Sequence, residues 1–214
     1  RTRLTPVLDP DVHHLFVSLG CAAETLLQAA AGYGWAGEME SVDATHGIIL
    51  TFAPTRPAPG PLFQAIPRRA STRGDYDGRP LAPAALHTLA DAAGTHTGLT
   101  LITERSRLDQ ATEFIVQGNG AQVRDAAFRR ELKAWIRFDA AEALARRDGL
   151  YAAASGNPTS PRLVGERLFD LAFTEQGEAD KILRQMRSSA GLAVFTSPAH
   201  DPAGWVEAGR AYTR

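Results

Sequence analysis

The chain has 214 residues, 44% of them apolar and 22% charged, with a formal net charge of −1. That length allows one substantial core, or two small halves sharing one. Near-neutral, interspersed charge argues against a dedicated nucleic-acid or membrane-surface binder.

In chain order, Asp11 to Ala31 carries the first pattern of helical period. Phe16, Leu19, Ala23, Leu26, Leu27 and Ala30 recur three or four apart. Asp9 or Asp11 can cap its start, and Gly32 and Gly34 end it. Cys21, the single cysteine, lies within this pattern among small residues. It permits no internal disulfide or cysteine-rich metal site and reads as a small core side chain. Gly47 to Phe52 reads as a short buried strand. The proline-rich stretch 54–61 is the best internal linker. It divides the chain into an N-terminal part, 1–58, and a second part, 62–214.

The second part reads as helices over 83–93, 108–116, 125–136 and 140–146, with strands over 99–103 and 192–196. Ala111, Phe114 and Ile115 are expected to face inward on one helix. Phe128, Leu132, Trp135 and Ile136 form the apolar stripe of the next. Residues 152–161 read as a loop, and helix resumes at Pro202. A faint repeat is also legible. Asp11 to Gly20 parallels Asp201 to Gly209: an acidic start, an aromatic, a glycine, then more helix. No apolar run reaches the length of a membrane span and no signal peptide opens the chain, so a cytoplasmic location is expected. The chain does not begin with Met and stops within a helical pattern, which suggests a fragment of a longer protein.

The most informative stretch lies between the linker and the helix at 83: Ile66-Pro67-Arg68-Arg69-Ala70-Ser71-Thr72-Arg73-Gly74-Asp75-Tyr76. In extended backbone alternate residues share a face, so Arg69, Ser71 and Arg73 line one side. Two guanidiniums flanking a hydroxyl suit a phosphate and the polar chain behind it. On spacing alone, a solvated basic loop is the competing reading.

Arg-x-Ser-x-Arg followed by an aromatic and a proline resembles the flavin-binding motif of the nitroreductase family. The segments Phe128 to Phe138, Asp148-Gly149-Leu150 and Asp201 to Ala211 follow in order. Together they resemble the Acg-type FMN-binding branch over almost the whole chain. The resemblance implies an α+β fold: a central, mostly antiparallel sheet packed by helices. It also implies that two degenerate halves form a pseudo-dimer within one chain. The halves would be a truncated one over 1–58 and a second over 62–214 that carries the motif and is truncated at its C-terminus.

Carried over by residue, the resemblance gives Arg69 the FMN phosphate, Ser71 the phosphate or ribityl hydroxyls, and Arg73 the pyrimidine edge of the flavin. There Arg73 would stabilise negative charge on the reduced ring. The implied activity is an FMN-dependent oxidoreductase, passing electrons from NADH or NADPH through the flavin to a nitroaromatic, quinone or similar small acceptor. The alternative is a flavin-sequestering protein without turnover. The resemblance leaves a homodimer open and implies neither a nucleic-acid nor a membrane partner. No catalytic side chain is identifiable.

Other motifs carry less. Gly32-Tyr33-Gly34-Trp35-Ala36-Gly37 has the spacing of a dinucleotide fingerprint, but it follows a helix and leads towards a strand, so it reads as a helix stop. His13-His14 reads as a surface pair and no metal site is expected, since neighbours on a helix point about 100° apart. Glu131 is expected to pair or cap, Trp135 and Trp205 to pack, and Gly149 to supply a positive φ. Ser155-Gly156-Asn157 reads as a loop, with a place near the cofactor as the alternative.

Overall fold

The computed structural model describes residues 4–43, 47–72 and 74–214. The chain is mixed α and β, with 57% helix and 15% strand in small sheets, so helix packing carries most of the core. It forms two compact units, each assembled from three segments.

One unit comprises Asp9–Ser71, Leu81–Leu101 and Ala193–Arg214. Helix α1 (His13–Gly32) is its spine. The Asp9 carboxylate caps the first turn from outside, accepting from the amides of His14 and Leu15 at 3.0 Å each. Gly34, at φ +86°, turns the chain into strand β1 (Trp35–Asp43), which pairs antiparallel with β2 (Gly47–Pro54). The register shifts between Met39 and Ser41, a bulge at Glu40. β1 had no counterpart among the expected strands, because its short run of Gly, Glu and Ser residues shows no apolar alternation.

Helix α2 (Pro61–Ala65) and a 3-10 turn (Ile66–Arg68) follow the linker. Helix α3 (Pro83–Ala93), strand β3 (Gly98–Ile102) and strand β6 (Leu192–Thr196) lie within two residues of expectation, and β3 pairs with β6. Helix α9 (Pro202–Thr213) starts at Asp201, whose carboxylate accepts from the Gly204 amide at 2.8 Å.

α1 and α9 cross at close range. A Cβ on Gly20 would strike the Val206 carbonyl and lie 3.0 Å from Val206 Cα; one on Gly209 would strike the Val17 carbonyl and lie 3.1 Å from Val17 Cα. The contact is reciprocal: Val17-x-x-Gly20 meets Val206-x-x-Gly209. The preceding aromatics, Phe16 and Trp205, also meet, with ring centroids 6.1 Å apart. Phe16, Ala23, Val206 and Ala211 are buried here. Cys21 is only half-buried; its thiol donates to the Gly209 carbonyl at 3.3 Å.

α1 also corrects the expectation about membrane spans. By length and composition it is apolar enough to cross one, with a mean hydropathy of 1.4 over its window. The buried Glu24 at its centre is paired with arginines of the α9 segment, so this face of the helix packs on protein and carries a charge.

The other unit comprises Arg1–Leu8, Thr72–Pro80 and Ile102–Leu192. Helix α4 (Arg105–Arg124) is twice the expected length and packs against α8 (Glu175–Ser188). Its buried face is Leu108, Thr112, Gly120 and Val123, whereas Phe114 and Ile115 are exposed, a correction to the inward face expected there. Leu108 and Thr112 already set that face within the expected span, but an apolar count passes over Thr112, whose hydroxyl donates to the Leu108 carbonyl at 2.6 Å. Helix α5 (Ala126–Trp135) is capped by Asp125 and leads into β4 (Ile136–Arg137). Helix α6 (Ala140–Arg146) follows, and β5 (Leu150–Tyr151) pairs parallel with β4. Helix α7 (Arg162–Ala172) and α8 lie where no element was expected.

Ile136, Phe138 and Ala152 form the local core, with Leu132 and Phe169 against them. Arg137 is fully buried and donates to Asp148 Oδ1 at 2.7 and 2.9 Å and to the carbonyls of Ala134 and Ile136. Gly149, at φ +75°, makes the turn that brings Asp148 there. Glu131 accepts from the amides of Val7 and Leu8. Among the described residues the strands form three two-stranded sheets, where one central sheet was expected.

Candidate functional site

Each unit holds a cavity of its own. In the unit built on α1, a cavity of about 450 Å³ is lined by Glu24, Gln28, Ile66, Arg68, Arg69 and Arg214, among others. Local sequence explains how Arg69 arrives there. Pro61 starts α2, Pro67 tightens the chain into the 3-10 turn, and Arg69 follows in extended backbone with its amide bonded to the Ala65 carbonyl at 3.0 Å.

The electrostatics of this cavity can be followed charge by charge. Glu24 accepts from Arg210, from Arg214 and, at 2.8 Å, from Gln28. Arg210 also donates to Glu207 at 2.7 Å. Burial pushes the Glu24 carboxyl up, but hydrogen bonds from Arg214, Gln28 and Arg210 outweigh it and hold the group below the ordinary glutamate range. Two carboxylates therefore balance two guanidiniums, and Arg68 and Arg69 remain as surplus positive charge. Arg68 donates to the Gln64 carbonyl at 3.3 Å, while the Arg69 side chain is exposed and has no partner among the described residues. Two guanidiniums without a carboxylate partner among the described residues, beside the apolar Leu62, Ala65 and Ile66, suit an organic anion with a phosphate or carboxylate end.

The three motif residues do not share this cavity. Arg69 lines it. Ser71 is exposed, lines neither cavity and has no side-chain partner among the described residues. Arg73 lies outside the described residues. Arg68, Glu24 and Arg214 were missed. Arg68 could have been found beside Arg69, but the Glu24–Arg214 pair spans 190 residues and leaves no local signal.

In the other unit, a cavity of about 560 Å³ lies against the Ile136 core. Leu132, Ile136, Phe138 and Leu168 line it, with Phe169 and Phe173 stacked at 4.7 Å. Thr72, Ser155, Asn157 and Ser160 supply polar lining, and Glu178, Lys181 and Gln185 enter from α8. The loop carrying Ser155 and Asn157 is thus part of a cavity wall.

Near the start of α1, Asp9, His13 and His14 bring possible ligand atoms within 4.8 Å of one another. The His pair expected to diverge has ring centroids only 3.8 Å apart. Asp9 is committed to backbone amides, while Asp11 accepts from His13 Nδ1 at 2.8 Å and from the His13 amide, and these two bonds to His13 hold the Asp11 carboxyl below its ordinary range. The cluster reads as a helix cap.

No protein-family model matches the chain, and no curated protein matches it either.

Proposed function

We propose that the chain is an FMN-dependent oxidoreductase of the nitroreductase type, resembling its Acg-type branch, with NADH or NADPH as reductant and a small organic acceptor. The observation that carries this is the surplus charge of Arg68 and Arg69 in one cavity. It suits a phosphomonoester on a polar chain, as FMN presents. Arg69 is the residue to which the motif assigns the phosphate. Arg68 adds a second donor that the motif alone does not specify.

The α1–α9 crossing supports the pseudo-dimer part of this proposal. A two-fold interface is self-complementary: if residue i touches j, then j touches i. Gly20 against Val206 and Gly209 against Val17 meet that condition within one chain. They do so in the two segments that the faint repeat pairs.

Bound FMN would supply the hydride and electron transfer at its ring system. The chain's own residues would bind and orient it. Arg69 and Arg68 would take the phosphate, and Leu62, Ala65 and Ile66 would exclude water beside it. Glu24, pinned by Arg210 and Arg214, would keep the cavity from carrying so much positive charge that it opens.

The test uses the apo protein titrated with FMN and, separately, with riboflavin, which lacks the phosphate. Charge-assisted hydrogen bonds contribute about 1.5–3 kcal/mol each. The double variant Arg68→Ala/Arg69→Ala is therefore expected to bind FMN at least ~10-fold more weakly, with riboflavin affinity unchanged. Unaltered FMN affinity in that variant would remove the phosphate from this cavity. Anaerobic bleaching of bound flavin by NADH or NADPH, with colour restored by an acceptor, is expected of a reductase; a sequestering protein would stay yellow.

A further inference from the structure

The apolar cavity against Ile136 shares no lining residue with the cavity of Arg69. We infer that it is a second small-molecule site, for a neutral, flat, apolar ligand carrying one polar group at its edge. This inference does not rest on flavin binding.

Size and lining set the class of ligand. About 560 Å³ is within the range of small-molecule pockets. Leu132, Ile136, Phe138, Phe169 and Phe173 make the surface mainly apolar, and the stacked Phe169 and Phe173 rings, 15° between planes, supply its aromatic part, against which a flat ring packs well. Lys181 and Glu178, both in the lining, pair at 3.5 Å. The wall therefore presents no surplus charge, which favours a neutral ligand over an anion.

One hydroxyl sets the polar requirement. Ser155 lies in the wall, and its Oγ is buried with no hydrogen-bond partner among the described residues. An unpartnered buried hydroxyl is costly, and a ligand that satisfies it relieves that cost. A change of staggered rotamer about the Ser155 Cα–Cβ bond would bring the hydroxyl to a ligand in the cavity. A carbonyl seated there would accept from it, while the ring behind lies against the phenylalanines.

The probe is coumarin, a flat neutral lactone, with naphthalene as the carbonyl-free control and calorimetric titration of the full chain as the readout. Saturable binding of coumarin is expected. Ser155→Ala should weaken coumarin by about 3- to 10-fold, the range of one neutral hydrogen bond, and leave naphthalene within twofold. Ala172→Trp, which fills the cavity from an exposed position at the end of α7, should abolish binding of both. Circular dichroism checks that each variant is folded.

Absence of saturable coumarin binding would overturn the site. So would equal weakening of both probes by Ser155→Ala, no effect of that change on coumarin, or full binding by Ala172→Trp. Competitive displacement of coumarin by FMN would reassign this cavity to the flavin and equally overturn a second site. Weak FMN binding alone would count only against the oxidoreductase proposal.

Discussion

At the scale of single residues, Glu24 and Arg137 show how this chain handles buried charge. Each is almost fully buried, and each is held by several donors or acceptors. An isolated buried charge would be strongly destabilising, so these groups persist only because their partners are in place. For Glu24 this gives a pH dependence. Its folded-state carboxyl titrates below its unfolded value, so the unfolded chain binds the proton more readily. The stability it contributes is fully present above the ordinary glutamate pKa of about 4.3. It is lost as pH falls through the lower, folded-state value. The expected outcome is an acid limb in the urea midpoint that begins as pH drops below the ordinary glutamate value and is complete below the folded-state one, and Glu24→Gln should flatten it. An identical acid limb in the variant would assign the effect to other carboxylates.

At the scale of elements, the α1–α9 crossing depends on two glycines. A methyl group at either position meets main-chain atoms of the other helix, which cannot move aside as a side chain can. Gly20→Ala and Gly209→Ala are each expected to destabilise the protein by about 2 kcal/mol, in the range of overpacked sites. The two contacts are reciprocal, so the two effects should be similar. Denaturant midpoints measure this; a neutral Gly209→Ala beside a damaging Gly20→Ala would argue against a symmetric crossing. By contrast, β1 and β2 form a two-stranded hairpin with mostly exposed faces, and a lone hairpin is marginal in water. α1 is the element that braces it.

For the whole molecule, the division into two units has a dynamic consequence. Each unit has buried apolar residues of its own: Phe16, Ala23 and Val206 in one, Ile136, Phe138 and Ala152 in the other. Amide exchange slows most where backbone is buried in a packed core. Hydrogen exchange of the full chain should show two separate sets of slowest amides, one in α1 and α9 and one around α5 and β4, with the β1–β2 hairpin exchanging early. A single protected region confined to one unit would contradict this.

The sequence alone determined most of the helices whose periods are clean. α3, α6 and β6 match expectation to the residue, because proline, aspartate and glycine fix their ends locally. It also singled out Arg69 and flagged the two segments that become the α1–α9 crossing. It did not yield the extent of α4, the strand before residue 47, or α7 and α8, although Ala179, Ile182, Leu183 and Met186 recur at helical spacing along α8. Only the tertiary structure decided that Arg68 joins Arg69, that Ser71 stands apart, and that Ser155 belongs to a cavity wall. Spacing along a strand says which side chains can share a face. Whether that face meets a cavity depends on distant residues such as Arg214 and Phe173, brought there by packing that no local pattern encodes.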